Sequence, residues 1–375
     1  MLTAVVSTHM PSIDRDALDV FARETLRELG LPSDSAAAVS TSLVEADIRG
    51  HQSHGVRLLP NKYADEIATG RIDPAAQPSV ESGGEGYAVV DGNWSFGHLV
   101  GRKAVDVAVE RAQENGISTV GLKRTSHIGR IGEWAERATD SGCAFLAYVC
   151  NPGNSWVAPA GSGQRRFSTN PIAMGLPTFD ALEFPFVLDI ATSQVAYGKI
   201  RKRVAENKPL PDEWAIGRDG EALVDSSRIA NGDDWALLPL GGRTAGYKGF
   251  GLSFMSELLA THVTDSTASG ADDVTWGNHA VFVVIDLKQF TTRERIEERT
   301  ADIAAFVRDT DFSANLNPGA GARGDQTLLP GEAEHHTARK RRQEGIPIPD
   351  VDVASLVELA RRHGLEEDEV PPAFR

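Results

Sequence analysis

From residue 87 onward the chain alternates short apolar runs with amphipathic stretches, and this alternation limits its architecture more than any other feature. Tyr87-Ala88-Val89-Val90-Asp91-Gly92 reads as a strand running into a turn, and residues 117–122 and 143–149 read as two further strands. Between them, residues 99–115 place Val105, Ala108, Val109 and Ala112 on one helical face and stop at Gly116, and residues 131–140 form another helix. Strands alternating with helices predict a mixed α/β domain, with more strands at 184–189 and 278–287. No Gly-x-Gly-x-x-Gly follows the first strand, so the usual dinucleotide fingerprint is missing. The turn Asn151-Pro152-Gly153-Asn154 is no phosphate loop either.

The chain before this region is helical in pattern. Residues 12–29 carry Leu18, Phe21, Leu26 and Leu29 near one face, with Gly30 as the stop. Pro32-Ser33 opens a second helix with Ala36, Val39, Leu43 and Ala46 on one side, and Gly50 follows it. Residues 60–67 begin a third. Near the C-terminus, residues 293–308 form an amphipathic helix, and residues 353–362 form a last one, ended by Gly364. Residues 315–326, rich in Gly and Ala, read as a mobile loop.

At 375 residues the chain suits two domains, or a core domain with a large accessory part. Its 41% hydrophobic and 24% charged content is that of a soluble globular enzyme. No apolar run is long enough to span a bilayer, and residues 1–10 lack the basic and apolar regions of a signal peptide, so a cytoplasmic location is expected. The net charge of −15 argues against a nucleic-acid partner. It leaves open a high-salt cytoplasm or an ordinary acidic surface. Cys143 and Cys150 share one strand, cannot bond to each other, and read as small core hydrophobes. His335-His336 has no third ligand at helical spacing, so no metal is expected, and the run 339–342 reads as a solvated helix face.

Three segments carry candidate chemistry. Ser53-His54-Gly55, just past a helix end, puts on a loop an imidazole that can give and take a proton near neutrality. The apolar run 184–193 ends in Asp189, Thr192 and Ser193; a carboxylate there needs a partner, which is either a histidine or a helix N-terminus. Gly246-Tyr247-Lys248-Gly249, ahead of an apolar helix over 252–263, suits an anionic group such as phosphate or is a flexible turn.

Together these stretches resemble the malate/L-lactate dehydrogenase family that lacks a Rossmann fold. The matching pieces are Ser53-His54-Gly55, Asn115-Gly116-Ile117, Ser126-His127-Ile128-Gly129, Thr169-Asn170-Pro171, Leu188-Asp189-Ile190-Ala191-Thr192-Ser193, Gly198-Lys199, Tyr247-Lys248-Gly249 and Leu329-Pro330-Gly331-Glu332. They cover nearly the whole chain in the family's order. Residues 127–134, 91–97 and 340–347 look most like the hydroxycarboxylate dehydrogenase B branch.

The resemblance implies an N-terminal helical domain over 1–80, a non-Rossmann α/β cofactor domain over 81–290, and C-terminal helices over 291–375 that pack back on the first. It implies a homodimer and an NAD- or NADP-dependent reaction interconverting a small-molecule 2-hydroxy acid and 2-oxo acid. His54 is then the proton donor and acceptor, Asp189 orients it, and His127 serves as a substrate-contacting or acid/base histidine. Ser53 lies with them at the substrate. The cofactor would be held by Leu188, Asp189, Ile190, Ala191, Thr192 and Ser193, by Lys248, and by Gly331 and Glu332, with Gly153 near the nicotinamide. A His–Asp pair serves both directions of such a reaction near neutral pH. Other readings are an imino-acid reductase of the same family and a non-catalytic nucleotide-binding protein.

Two positions depart from the family pattern. Several members carry an arginine four residues after the catalytic histidine to hold the substrate carboxylate; here Leu58 stands there and Arg57 precedes it. One residue turns a helical side chain by about 100°, which points Arg57 elsewhere and leaves Arg130 or His127 to hold the carboxylate. Ser168 also replaces the glycine that usually precedes Thr-Asn-Pro, a change a turn tolerates.

Overall fold

Asp14 starts the first helix by accepting the N–H groups of Asp16 at 2.9 Å and Ala17 at 3.1 Å, donors that no helical carbonyl can satisfy. The structure, a computed structural model, describes residues 10–232, 234–274, 276–313, 321–365 and 370–374. The first ten elements are β1 (Ser12–Ile13), α1 (Arg15–Glu28), α2 (Ser33–Ile48), a π-helical turn (Leu59–Tyr63) running into α3 (Ala64–Ala68), β2 (Ser79–Gly83), β3 (Tyr87–Asp91), α4 (Gly97–Asn115), β4 (Ile117–Thr125) and α5 (Ile131–Asp140). Then come β5 (Cys143–Cys150), β6 (Ile172–Leu176), β7 (Phe186–Ile190), α6 (Tyr197–Ala205), β8 (Ala215–Gly217), α7 (Ser226–Asn231), β9 (Trp235–Leu237) and α8 (Gly242–Thr264). The chain continues through β10 (Asn278–Asp286), α9 (Arg293–Arg308), β11 (Ala322–Arg323), β12 (Gln326–Thr327), α10 (Glu332–Glu344), β13 (Ile346–Pro347) and α11 (Asp350–Arg362).

A seven-stranded mixed sheet, ordered β2-β3-β4-β10-β5-β6-β7, forms the centre. Only β3 and β4 are paired in parallel, and α4 makes that crossover. Gly116 closes α4 in a left-handed conformation (φ +86°). The core beneath α4 and α5 holds Val105, Ala108, Ala112, Trp134, Phe145 and Phe282. Removing a valine or phenylalanine side chain such as these from water contributes roughly 1.5–3 kcal/mol. Cys143 and Cys150 are free and buried in this sheet, as expected.

A separate apolar core joins both ends of the chain. Leu18, Phe21, Val39 and Leu43 pack in one cluster with Leu356, Leu359 and Ala360 of α11. Ser12 and Ile13 pair with Pro347 and Ile346, stitching the termini together. The helical bundle completed by C-terminal helices is therefore present.

Three local expectations need correction. The apolar run ending at Asp189 predicts a buried strand, but every residue of β7 is only half buried. β7 is the sheet's edge, and its outer side meets the 329–332 turn through a Val187 N–H to Pro330 O bond at 3.3 Å. The helix expected over 252–263 begins at Gly242 and breaks at Ala245 (φ −123°), so Lys248 lies in the turn after the break instead of ahead of the helix. Gly249 permits this because a side chain there would overlap the backbone of Leu240. The loop expected over 315–326 falls partly outside the described residues, and 322–327 form a small hairpin. The N-terminal reading over residues 1–10 also lies almost wholly outside them.

Candidate active site

α2 ends at Ile48, and the chain turns through a single 3₁₀ turn, Gln52–His54, before the π-helical turn. That reversal is held from below. The Asp47 side chain, 2% exposed, accepts the Val56 N–H at 2.8 Å and fills the space beside Gly55, where a Cβ would overlap it. Gln52 donates to Pro347 O at 2.7 Å, tying the same turn to the C-terminal segment. α6 arrives against the turn at Gly198, where a Cβ would sit 3.3 Å from Ser53 Cβ. The fold thus brings Ser53-His54 together with Gly198, two segments far apart in sequence.

His54 stacks on His127, with ring centroids 5.2 Å apart and planes inclined by 30°. Ser53 Oγ meets His54 Nδ1 at 2.9 Å. Burial, then the neighbouring His51 and Arg130, pushes the His54 pKa down to about 4. Burial also holds His127 well below its ordinary range, with help from His54, Lys62 and His98. Both rings are therefore neutral at neutral pH. Nδ1 of His127 meets Tyr63 OH at 3.0 Å and the Gly129 N–H at 3.4 Å. A backbone N–H only donates, so Nδ1 accepts and the neutral ring keeps its proton on Nε2.

The expected His54–Asp189 pair does not form. Among the described residues no hydrogen bond joins them, and Asp189 Oδ2 accepts the Gly132 N–H at 2.7 Å, at the first turn of α5. The helix-cap reading prevails, on a helix that precedes Asp189 in the chain. Burial pushes the Asp189 pKa up, and the Gly132 N–H, Arg130 and His51 pull it back. His51, absent from the expected site, bridges this group to the C-terminal helices by a 3.4 Å contact with Glu334.

Arg130 lies near His54 as expected, but its head is closed off. It is 3% exposed, its guanidinium meets Glu136 at 2.6 Å, and its buried ε N–H has no hydrogen-bond partner. Arg57 turns to Asp352, 4.0 Å away, so it faces away from the histidines.

The expected cofactor segment is partly assembled. Leu188 and Ile190 run along β7 beside Gly331, which adopts φ +89° and whose Cβ would lie 2.8 Å from Pro185 O. Thr192 and Ser193 spend their hydroxyls on backbone carbonyls: Thr192 on Thr169 and Asn170, each at 3.0 Å, and Ser193 on Val195 at 2.8 Å. Ala191 lies between them and β7. Glu332 is also committed, accepting from Leu329 N–H at 2.9 Å and from Arg308 at 2.7 Å. Lys248 is exposed, 5.9 Å from the centroid of Tyr247, and Gly153 lies in an open turn beside Asn151.

Two more residues were missed in the sequence. Tyr63, 0% exposed, orders His127 and sits edge-on to His98 at 5.8 Å between centroids. His98, 2% exposed, packs under Gly129 with neither ring nitrogen hydrogen-bonded, and burial pushes its pKa down to about 3. No local pattern marks either one. Among the described residues there is no group of three His, Cys, Asp or Glu arranged to hold a metal, and no helix long and apolar enough to cross a membrane.

Comparison with known proteins identifies the family and the fold. A family model described as malate/L-lactate dehydrogenase matches residues 13–357. The malate dehydrogenase of Pyrococcus horikoshii is 33% identical, over 94% of this chain and 96% of its own. Hydroxycarboxylate dehydrogenase B of Escherichia coli K12 is 28% identical, over 95% of each chain. The crystal structure of malate dehydrogenase from Entamoeba histolytica superposes with a TM-score of 0.86 at 25% identity, covering 96% of this chain and 99% of that one. The fold and its relatives define an oxidoreductase acting on the CH–OH group of hydroxy acids. The chain belongs to the malate/L-lactate dehydrogenase family.

Proposed function

We propose that this enzyme interconverts a 2-hydroxy acid and its 2-oxo acid with NAD or NADP, using His54 as the proton donor and acceptor. The stacked, neutral His54–His127 pair carries this reading. In oxidation, neutral His54 takes the hydroxyl proton; in reduction, its protonated form returns it. His127, with its proton on Nε2, donates a hydrogen bond to the substrate oxygen and so holds it beside His54. When bound, the nicotinamide supplies or accepts the hydride at the substrate's α-carbon. Ser53 fixes the His54 ring, while His51 and Arg130 set the charge beside it.

The residues present suit such a cofactor. Asn151 Oδ1 is buried without a hydrogen-bond partner next to Gly153, an acceptor suited to a carboxamide N–H. Residues 188–193, Gly331 and Glu332 would contribute further contacts, and Lys248 a cation for phosphate. Residues 1–80, 81–290 and 291–375 then divide into helical, cofactor-binding and closing parts.

We further infer a homodimer. Leu252, Met255 and Leu259 form one stripe on α8, exposed at 40%, 63% and 39%. Met174 and Leu176 of β6 point to the same side, because Gly175 between them faces α5. A second copy of the chain is the partner that covers this apolar surface.

Titrating the protein with NADH and NADPH while following tryptophan fluorescence tests the cofactor assignment. Saturable quenching by at least one, weakened in Lys248→Ala, is expected. Absence of binding by both would overturn it.

A further inference from the structure

We propose that Lys62 receives the substrate's carboxylate and so makes the site specific for 2-oxo and 2-hydroxy acids. This rests on the dehydrogenase reading above. The need for such a cation is unmet elsewhere: Leu58 is apolar, Arg57 faces Asp352, and Arg130 is enclosed against Glu136.

Lys62 lies in the π-helical turn Leu59–Tyr63, an irregularity often found at functional positions. It follows Leu58 by four residues, about one helical turn of roughly 5.4 Å, which a lysine stem can span. The next residue, Tyr63, places its hydroxyl on His127 Nδ1 at 3.0 Å, and burial, then the Glu66 charge, raises the Tyr63 pKa, so the Lys62–Glu66 pair acts on the same cluster. Glu66, one turn on, meets the Lys62 ammonium at 2.6 Å. The Glu66 side chain is 6% exposed and that of Lys62 is 30%, so the carboxylate is the enclosed partner and the lysine side chain keeps contact with solvent. An ammonium has three donors and Glu66 engages one, which leaves two for an incoming carboxylate. The charge of Lys62 falls on His127.

The experiment measures KM and kcat of wild type, Lys62→Met and Lys62→Arg for a 2-oxo acid and for its neutral amide, with NAD(P)H affinity as a control. Lys62→Met is expected to raise KM for the acid roughly tenfold to a hundredfold, the worth of a hydrogen bond to a charged group. Its KM for the amide and its cofactor affinity stay within about threefold. Lys62→Arg recovers most of the loss. An unchanged KM for the acid in an active Lys62→Met enzyme would overturn the proposal and leave the dehydrogenase reading standing. An equal rise for acid and amide would overturn it as well, because Lys62 would then be structural. A wild-type enzyme that turns over no 2-oxo acid would overturn the dehydrogenase reading, and this proposal with it.

Discussion

The carboxylate of Asp47 occupies the space that a side chain on Gly55 would need, and from there it accepts the Val56 N–H at 2.8 Å. One buried acid therefore sets the path of the chain immediately after His54. Gly55→Ala must displace either the loop or the carboxylate. We expect kcat to fall at least tenfold, with nucleotide affinity within about twofold of wild type, since the damage is confined to the proton-transfer group. Steady-state kinetics with a binding titration check this; an unaltered kcat would show that the loop yields without moving His54.

Burial pushes the Asp47 pKa up from 3.8 to about 7, against the pull of the Val56 N–H and Arg341. An acid raised in the folded state favours its protonated form there. Its contribution to stability is whole below pH 3.8 and is lost as the pH climbs through 7. Asp47→Asn has no such loss. Its melting temperature should gain on wild type steadily from pH 5 to pH 8, and a constant difference across that range would contradict the assignment.

The histidine cluster works in the opposite sense. His54 and His98 are depressed from 6.5 to about 4 and about 3, both mainly by burial. A base depressed in the folded state contributes stability above its unfolded pKa and loses it as the pH falls through the folded value. Acid unfolding should therefore set in below pH 6.5 and deepen towards 3. His98 lacks hydrogen-bond partners at both ring nitrogens, so His98→Leu removes one such group at little cost in contacts. The acid midpoint, read by circular dichroism, should move to lower pH; movement upward would mean that His98 is held by a bond.

Much of the architecture was legible because it is written locally. Leu18, Phe21, Val39 and Leu43 repeat at helical spacing, and Gly116 marks a stop that its φ of +86° requires. The half-buried state of β7 was not legible, since it depends on which strand ends the sheet. His54 and His127 could be named from the resemblance, yet nothing in either segment shows that they stack. Tyr63, Lys62 and His98 join them only through folding of distant segments. Asp189 is the sharpest case. A carboxylate closing an apolar run called for a partner, and the partner is a backbone N–H 57 positions upstream in place of the histidine that side-chain chemistry favoured.

The most direct test follows absorbance in the reduced-nicotinamide band, with NADH and NADPH separately, against a panel of 2-oxo acids, for wild type and His54→Ala side by side. We predict turnover by wild type with at least one pair and a fall of about a hundredfold or more in kcat for the variant, the scale of losing a general acid. Equal turnover by His54→Ala would contradict the role given to the His54–His127 pair.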